Sequence, residues 1–229
     1  MPFKDEPLRT AIKEVLGNSR KGRNKVIKLV QKKYPQYGAS QIRRVYEQSG
    51  FSLTKKLRRR IKDNPVNPID IPLEKNIEWA MDFMSDSLYD GRKIRTLNII
   101  DHYNRQCQGI KISCNIPARA VIEYLEQRIE LYGKPQKIRT DNGPEFRSKL
   151  FQKWLFNNNI DWSQIQKGKP GQNAIIERFN KTFREDILDA NIFRDIKHAQ
   201  EITDYWIKEY NQERPHQSLN YQTPIEYAA

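Results

Sequence analysis

The sequence has only two cysteines and three histidines in 229 residues. Cys107 and Cys114 are separated by six residues, with no Cys-x-x-Cys pattern. Neither a zinc finger nor a disulfide framework can be built from them, and two free thiols fit a reducing cytosol. Long apolar runs are missing too. No stretch reaches the roughly 20 residues of a membrane span, and the N-terminus is too charged for a signal peptide. A cytoplasmic chain without a membrane partner is expected. Internal repeats and low-complexity tracts are also lacking.

Acidic residues are scarce in one place. Residues 1–62 hold 18 Lys/Arg against 4 Asp/Glu, a net of +14. Residues 63–229 hold 23 against 24, a net of −1. The overall charge of +13 is therefore an N-terminal property. A solvated basic surface would help solubility, but so dense a concentration favours a polyanionic partner, nucleic acid.

Residues 6–62 read as short helices. Leu8, Ile12, Val15 and Leu16 make one apolar face, closed by Gly17-Asn18. Val26, Ile27 and Val30 make a second, stopped before Pro35. Ser40 is the expected cap of a third, with Ile42, Val45 and Tyr46 inward. After Ser49-Gly50-Phe51, Thr54 is the expected cap of a fourth. It packs Leu53, Leu57 and Ile61 and presents Lys55, Lys56, Arg58, Arg59, Arg60 and Lys62. Helix, glycine turn, basic helix is a helix-turn-helix pattern. The ordinary alternative is a charged helix pair that supports the rest of the chain.

Three prolines within residues 63–72 mark a linker, taken here as 63–74. Residues 75–229 then form a second domain. Strands are expected near 78–85, 93–100, 107–113, 137–140 and 160–165. Helices are expected from Pro117 to Gly133, near 148–157, after Asn173, and near 196–210. Three strands followed by alternating helix and strand fit a mixed α/β sheet.

Residues 139–184 organise this domain. Asp141 follows the short β-type run Lys137-Ile138-Arg139-Thr140 and meets the turn signal Asn142-Gly143-Pro144. Its carboxylate thus falls at the carboxyl end of a strand, where open α/β sheets keep their ligands. Glu177 lies in the first turns of a helix that Asn173 can cap. Ile176, Phe179, Phe183 and Ile187 form its buried stripe, while Glu177, Lys181 and Arg184 share an adjacent face. A carboxylate and two cations on one face suit a site holding metal ions beside a phosphate backbone.

A third acid, Asp82, sits in the alternating run Glu78-Trp79-Ala80-Met81-Asp82-Phe83. Trp79, Met81 and Phe83 point one way and Asp82 the other. An acid at mid-strand is costly to bury unless paired or coordinating a metal. Between Asp82 and Asp141 lie 58 residues, and between Asp141 and Glu177 lie 35. Other titratable groups read differently. Asp101 is expected in a turn, paired with Arg105. Asp86 shares the Asp82 face if the strand persists. Glu145 is expected to contact its own loop, His102 to belong to a turn, and the block around His216 to pack about Arg214.

Four blocks carry a resemblance. They are Trp79-Ala80-Met81-Asp82-Phe83, Thr140-Asp141-Asn142-Gly143-Pro144-Glu145-Phe146, residues 168–177 from Gly168 to Glu177, and Tyr210-Asn211-Gln212-Glu213-Arg214-Pro215-His216. With the Asp, Asp, 35, Glu spacing and a basic residue seven past the glutamate, they resemble the DDE transposases and retroviral integrases. Within these they resemble the insertion-sequence-three family, specifically the product of its second reading frame. The likeness runs from about Tyr37 to the end. One departure is Lys167, where the family often has proline.

The resemblance implies an RNase H-like five-stranded sheet flanked by helices, preceded by a small all-α helix-turn-helix domain. It implies metal-dependent cleavage and strand transfer of double-stranded DNA in the bacterial cytoplasm. Asp82, Asp141 and Glu177 would be the catalytic metal ligands. Magnesium or manganese, two ions, would serve, since both prefer oxygen donors. Lys169, Lys181 and Arg184 would grip phosphates, joined by Lys55, Lys56, Arg58, Arg59 and Arg60. A multimer on DNA and fusion to an upstream-frame segment are further expectations. A catalytically silent DNA-binding regulator, or an RNase H-like nuclease, are the competing functions.

Overall fold

The computed structural model describes residues 5–17, 21–51, 72–165 and 173–228. The chain divides into two compact units: Met1–Asn64 with Pro215–Thr223, and Pro65–Arg214 with Pro224–Ala229.

The first unit contains α1 (Glu6–Leu16), α2 (Arg23–Lys33) and α3 (Ala39–Gln48). Their apolar stripes meet in one core of Leu8, Ile12, Val26, Ile27, Val30, Ile42, Val45 and Tyr46. Gly17 closes α1 at φ +52, a left-handed value that suits glycine. The start of α3 differs from the sequence expectation. Gly38, not Ser40, is its N-cap, in extended backbone and without a side-chain cap bond. Asp5 and Arg44 form a two-point pair, with Nη1 and Nη2 at 2.9 and 2.8 Å from the carboxylate oxygens. The expected fourth helix, with Lys55, Lys56, Arg58, Arg59 and Arg60, lies outside the described residues, as does most of the proline-rich linker.

The second unit is a mixed five-stranded sheet flanked by helices, the arrangement expected of an RNase H-like core. Its strands are β1 (Glu78–Ser87), β2 (Lys93–Asp101), β3 (Cys107–Ser113), β4 (Lys137–Thr140) and β5 (Asp161–Gln164), in the order β3-β2-β1-β4-β5. The first three pair antiparallel as a meander, and β4 and β5 add in parallel after helical crossovers. Alternation along β1 divides two cores. Trp79 and Met81 face α4 (Ala118–Tyr132) and α5 (Lys149–Asn157). Ala80 faces α6 (Ala174–Phe183) and α7 (Ile196–Gln212). Pro117 and Gly133 bound α4, and the Ser148 hydroxyl caps α5 by accepting from Phe151 N–H. A last short helix, α8, spans Pro224–Ala228.

The edge strand β3 is closed by side chains of α7. The Asn211 amide donates to Cys107 O and accepts from Cys107 N, both at 2.9 Å. Gln200 does the same for Ile110 O and Ile112 N, also at 2.9 Å. Two amides thus stand where a further strand would otherwise pair.

Candidate active site

Register sets the site. β1 and β4 run parallel, and their last pair is Met81 with Thr140. One residue further along stand Asp82, still within β1, and Asp141, just past the end of β4, so the two acids lie at neighbouring points. Asp82 also lies opposite Asn98 on β2. α6 packs on this face through Ile176, Phe179 and Phe183, as its periodicity predicts. Glu177 and Lys181 are exposed beside that stripe.

The Asp82 carboxyl lies close enough to feel both other acids. Burial pushes the Asp82 carboxyl up to about 6, helped by the neighbouring Asp141 and Glu177 charges. Hydrogen bonds from Phe83 N–H at 2.9 Å and Asn180 Nδ2 at 2.6 Å pull the other way. Asn180 is itself held by Asn98, whose Nδ2 donates to Asn180 Oδ1 at 2.7 Å. Asp141 is exposed and accepts from Gly143 N–H at 3.0 Å. A Cβ added at Gly143 would stand 3.0 Å from that same oxygen, so the tight turn leaves little room for a side chain.

A half-buried acid that feels the charges of two neighbouring acids is costly to ionise without a cation. The donor set is all carboxylate, which suits hard divalent ions. Among the described residues, no group of three His, Cys, Asp or Glu side chains closes into a ligand shell.

The flanking cations are less free than the sequence suggests. Arg184 donates to Ser85 O at 2.9 Å and lies 3.7 Å from both Asp86 and Asp189. The acids next to it in sequence pair elsewhere, Glu185 with Lys181 and Asp186 with Arg214. Lys181 lies 3.9 Å from Glu185. Lys169 lies outside the described residues. Asn173 is the N-cap of α6, yet its side chain makes no cap bond.

Several contacts have no local sequence signal. Glu145 pairs with Arg95 of β2 through one oxygen, while the other lies over Gly143 of its own loop. The Arg95 guanidinium also covers the Phe83 ring at 4.1 Å, and Phe83 stacks on Phe146. Asp101 is the buried end of β2; its carbonyl closes the turn by accepting from Arg105 N–H at 3.1 Å, but its carboxylate serves other groups. Its carboxylate accepts from Asn76 N–H at 2.7 Å and Tyr103 N–H at 2.8 Å. His102 is fully buried, with Nδ1 2.7 Å from Glu78. Arg139 grips the same carboxylate through Nε at 2.8 Å and Nη2 at 3.0 Å. Burial alone would raise the Glu78 carboxyl, but bonds and charge from His102 and Arg139 hold it down at about 2. Arg214 is buried, as expected of its block, and pairs with Asp186, to which Trp206 Nε1 also donates.

Residues 72–170 and 158–224 each match a family model described as an integrase core domain. A protein of insertion element IS407 from Burkholderia multivorans is 32% identical over 201 residues, covering 88% of this chain and 73% of that protein. An IS476 protein from Xanthomonas euvesicatoria is 34% identical over 204 residues, covering 88% and 58%. The chain therefore spans somewhat over half to three quarters of the length of these two relatives. The transposase of IS904 from Lactococcus lactis is 27% identical over 185 residues, covering 80% and 70%. Among solved structures, the HTLV-2 integrase catalytic core domain in complex with magnesium superposes with a TM-score of 0.55 at 21% identity, covering 69% and 99%. A chain of the simian T-cell lymphotropic virus intasome, in complex with a PP2A regulatory subunit, gives 0.62 at 15% identity, covering 95% and 74%. Motif blocks, sheet order and relatives agree: the chain belongs to the insertion-element transposases built on the DDE integrase core.

Proposed function

We propose that this chain cuts and joins the DNA ends of an insertion sequence by in-line phosphoryl displacement. Asp82, Asp141 and Glu177 would be the oxygen ligands of two magnesium or manganese ions. Such ions supply an activated water or 3′-hydroxyl on one side of the phosphorus and a stabilised leaving oxygen on the other. The protein's part is placement. β1 and β4 present two acids side by side, α6 brings the third, and Asn180 holds the Asp82 carboxylate in one orientation. The observation that carries this reading is the register of β1 and β4, which sets Asp82 and Asp141 one residue past the same strand pair, with Asn180 of the Glu177 helix bonded to Asp82.

Double-stranded DNA is the substrate in this reading, held as a multimer. Lys55, Lys56, Arg58, Arg59 and Arg60 would grip the element ends, and Lys169, Lys181 and Arg184 the phosphates near the cut. The four motif blocks favour the insertion-sequence-three family. By the same likeness, the working form carries an upstream-frame segment and acts in the bacterial cytoplasm. If the 229-residue chain alone paired two ends specifically and transposed them, the fused segment would be superfluous.

Asp82→Asn, Asp141→Asn and Glu177→Gln should each abolish Mg²⁺-dependent cleavage and joining in a folded protein. Activity retained by any one of them removes that residue from the site. Hydrolysis without joining on pre-cleaved ends would favour a nuclease instead.

A further inference from the structure

Buried Glu78, half-buried Arg139 and buried His102 form a trio outside the three-acid site, with Glu78 and Arg139 on the same two strands as that site. Glu78 opens β1, four residues before Asp82. Arg139 lies on β4, two residues before Asp141. Arg139 spans the two strands with a two-point grip at 2.8 and 3.0 Å, and His102 Nδ1 approaches the same carboxylate at 2.7 Å. The strand end is fixed from a third side, where His102 N–H donates to Glu78 O at 2.9 Å.

The pairing that this trio spans is short. β1 and β4 share four residue pairs, Glu78–Lys137 to Met81–Thr140. Side chains alternate along a strand, so a slip of one residue would turn every β4 side chain to the opposite face. Asp141 would then leave the side of the sheet that carries Asp82. Two backbone bonds precede the ladder, Gln136 N–H to Asn76 O and Lys137 N–H to Ile77 O, and on the other face Ile138 and Thr140 are buried, so β4 has one apolar side chain to fix its register. A planar fork gripping a buried carboxylate tolerates no such shift.

We propose that Glu78, Arg139 and His102 act as a register clamp, positioning residues that hold Asp141 alongside Asp82. The inference rests on the reading of these two acids as parts of one metal site. A buried ion pair is weak evidence for stability, because well-packed apolar replacements often match or exceed it. Its best-attested use is to specify one arrangement among several.

The test separates register from stability. Arg139→Lys keeps the charge and loses the fork. The triple variant Glu78→Leu, Arg139→Met, His102→Phe removes the clamp while filling its volume with apolar groups. In both, Mn²⁺ affinity by electron paramagnetic resonance should fall at least about tenfold, the range seen when groups that orient metal ligands are removed. Amide hydrogen exchange in residues 137–141 should accelerate, with the thermal midpoint of the triple variant at or above wild type. Wild-type exchange in residues 137–141 in both variants overturns the clamp, as does wild-type Mn²⁺ affinity in a variant whose exchange is faster. Asp141→Asn, run alongside, tests the site itself. If it keeps full Mn²⁺ affinity, the metal reading falls, and the exchange data still decide the clamp.

Discussion

Asn180 Nδ2 lies 2.6 Å from Asp82 Oδ2, and Asn98 Nδ2 lies 2.7 Å from Asn180 Oδ1. The two amides form a directed chain from β2 through α6 to the acid. Asn180 is one helical turn past Glu177, so a single turn of α6 supplies both an acid and the donor that orients another. Removing that donor frees the Asp82 carboxylate to rotate. Asn180→Ala should lower strand joining about 10–100-fold, as loss of a ligand-orienting partner does. Part of the rate should return at high Mg²⁺. A Mg²⁺ titration of joining on pre-cleaved ends reads this directly, and a wild-type curve would show that Asn180 only packs.

Asp82 predicts an opposed effect on activity and stability. Its folded-state carboxyl titrates near 6, above the ordinary value of 3.8. The folded protein therefore binds this proton more tightly than the unfolded chain. Stability from this group is fully present below about pH 3.8 and is lost as pH rises through 6. At pH 7.5 without metal, Asp82→Asn should be the more stable protein, by about 1–2 kcal/mol. The gain should vanish near pH 3.5. Chemical denaturation in EDTA at the two pH values measures it. A destabilised Asp82→Asn at pH 7.5 would mean that the acid is satisfied without a cation.

Arg184 is anchored at the end of β1, by Ser85 O at 2.9 Å and more loosely by Asp86 and Asp189 at 3.7 Å. Part of its guanidinium stays accessible, which leaves room for a phosphate. Arg184→Ala should keep fold and metal affinity yet slow strand joining, most steeply at high salt. Arg184→Lys should recover only part, because lysine lacks the planar fork. Wild-type joining by Arg184→Ala across the salt series would reduce the residue to a brace between α6 and β1.

The basic run at residues 55–60 makes a separate prediction about affinity. Changing Lys55, Lys56, Arg58, Arg59 and Arg60 to glutamine should weaken DNA binding at every sequence. It should also flatten the dependence of log affinity on log salt, by about 0.9 for each phosphate that the protein no longer neutralises. A fluorescence-anisotropy salt series on element-end and random duplexes would show both effects. An unchanged slope would place these charges away from the DNA.

Much of the second unit is legible along the chain because its signals are local. Trp79, Met81 and Phe83 alternate with Ala80 and Asp82, Gly133 stops a helix, and Ser148 starts one. The three candidate acids are picked out by spacing and motif wording, and strand register sets two of them at neighbouring points. What escapes are contacts whose partners lie far apart in sequence. Glu145 meets Arg95 across 50 residues, and Arg139 meets Glu78 across 61. Neither pair has a periodicity to announce it, because strand order and register decide which charges meet. Asp101 misleads for a related reason. Its turn-like neighbours hide a buried strand end that serves the backbone N–H groups of Asn76 and Tyr103.

Past Phe183 the helix of Glu177 changes its winding. Residues Arg184–Leu188 form a π turn, in which Asp189 N–H reaches back five residues to Arg184 O at 2.8 Å. A wider turn rotates everything beyond it relative to an α-helix. Asp186, Ile187 and Leu188 are all buried in succession, and Asp186 swings inward to Arg214 instead of out to solvent. Distance counted from Glu177 thus works as a ruler of helix faces only as far as Arg184. Deleting Glu185, just before Asp186 in this turn, would move Asp186 back one position, about 100° around the axis, away from Arg214. The Glu177 face would stay where it is. A chain shortened by one residue here would keep the acid and lose the anchor to the helix behind it, so this segment tolerates substitution better than any change in its length.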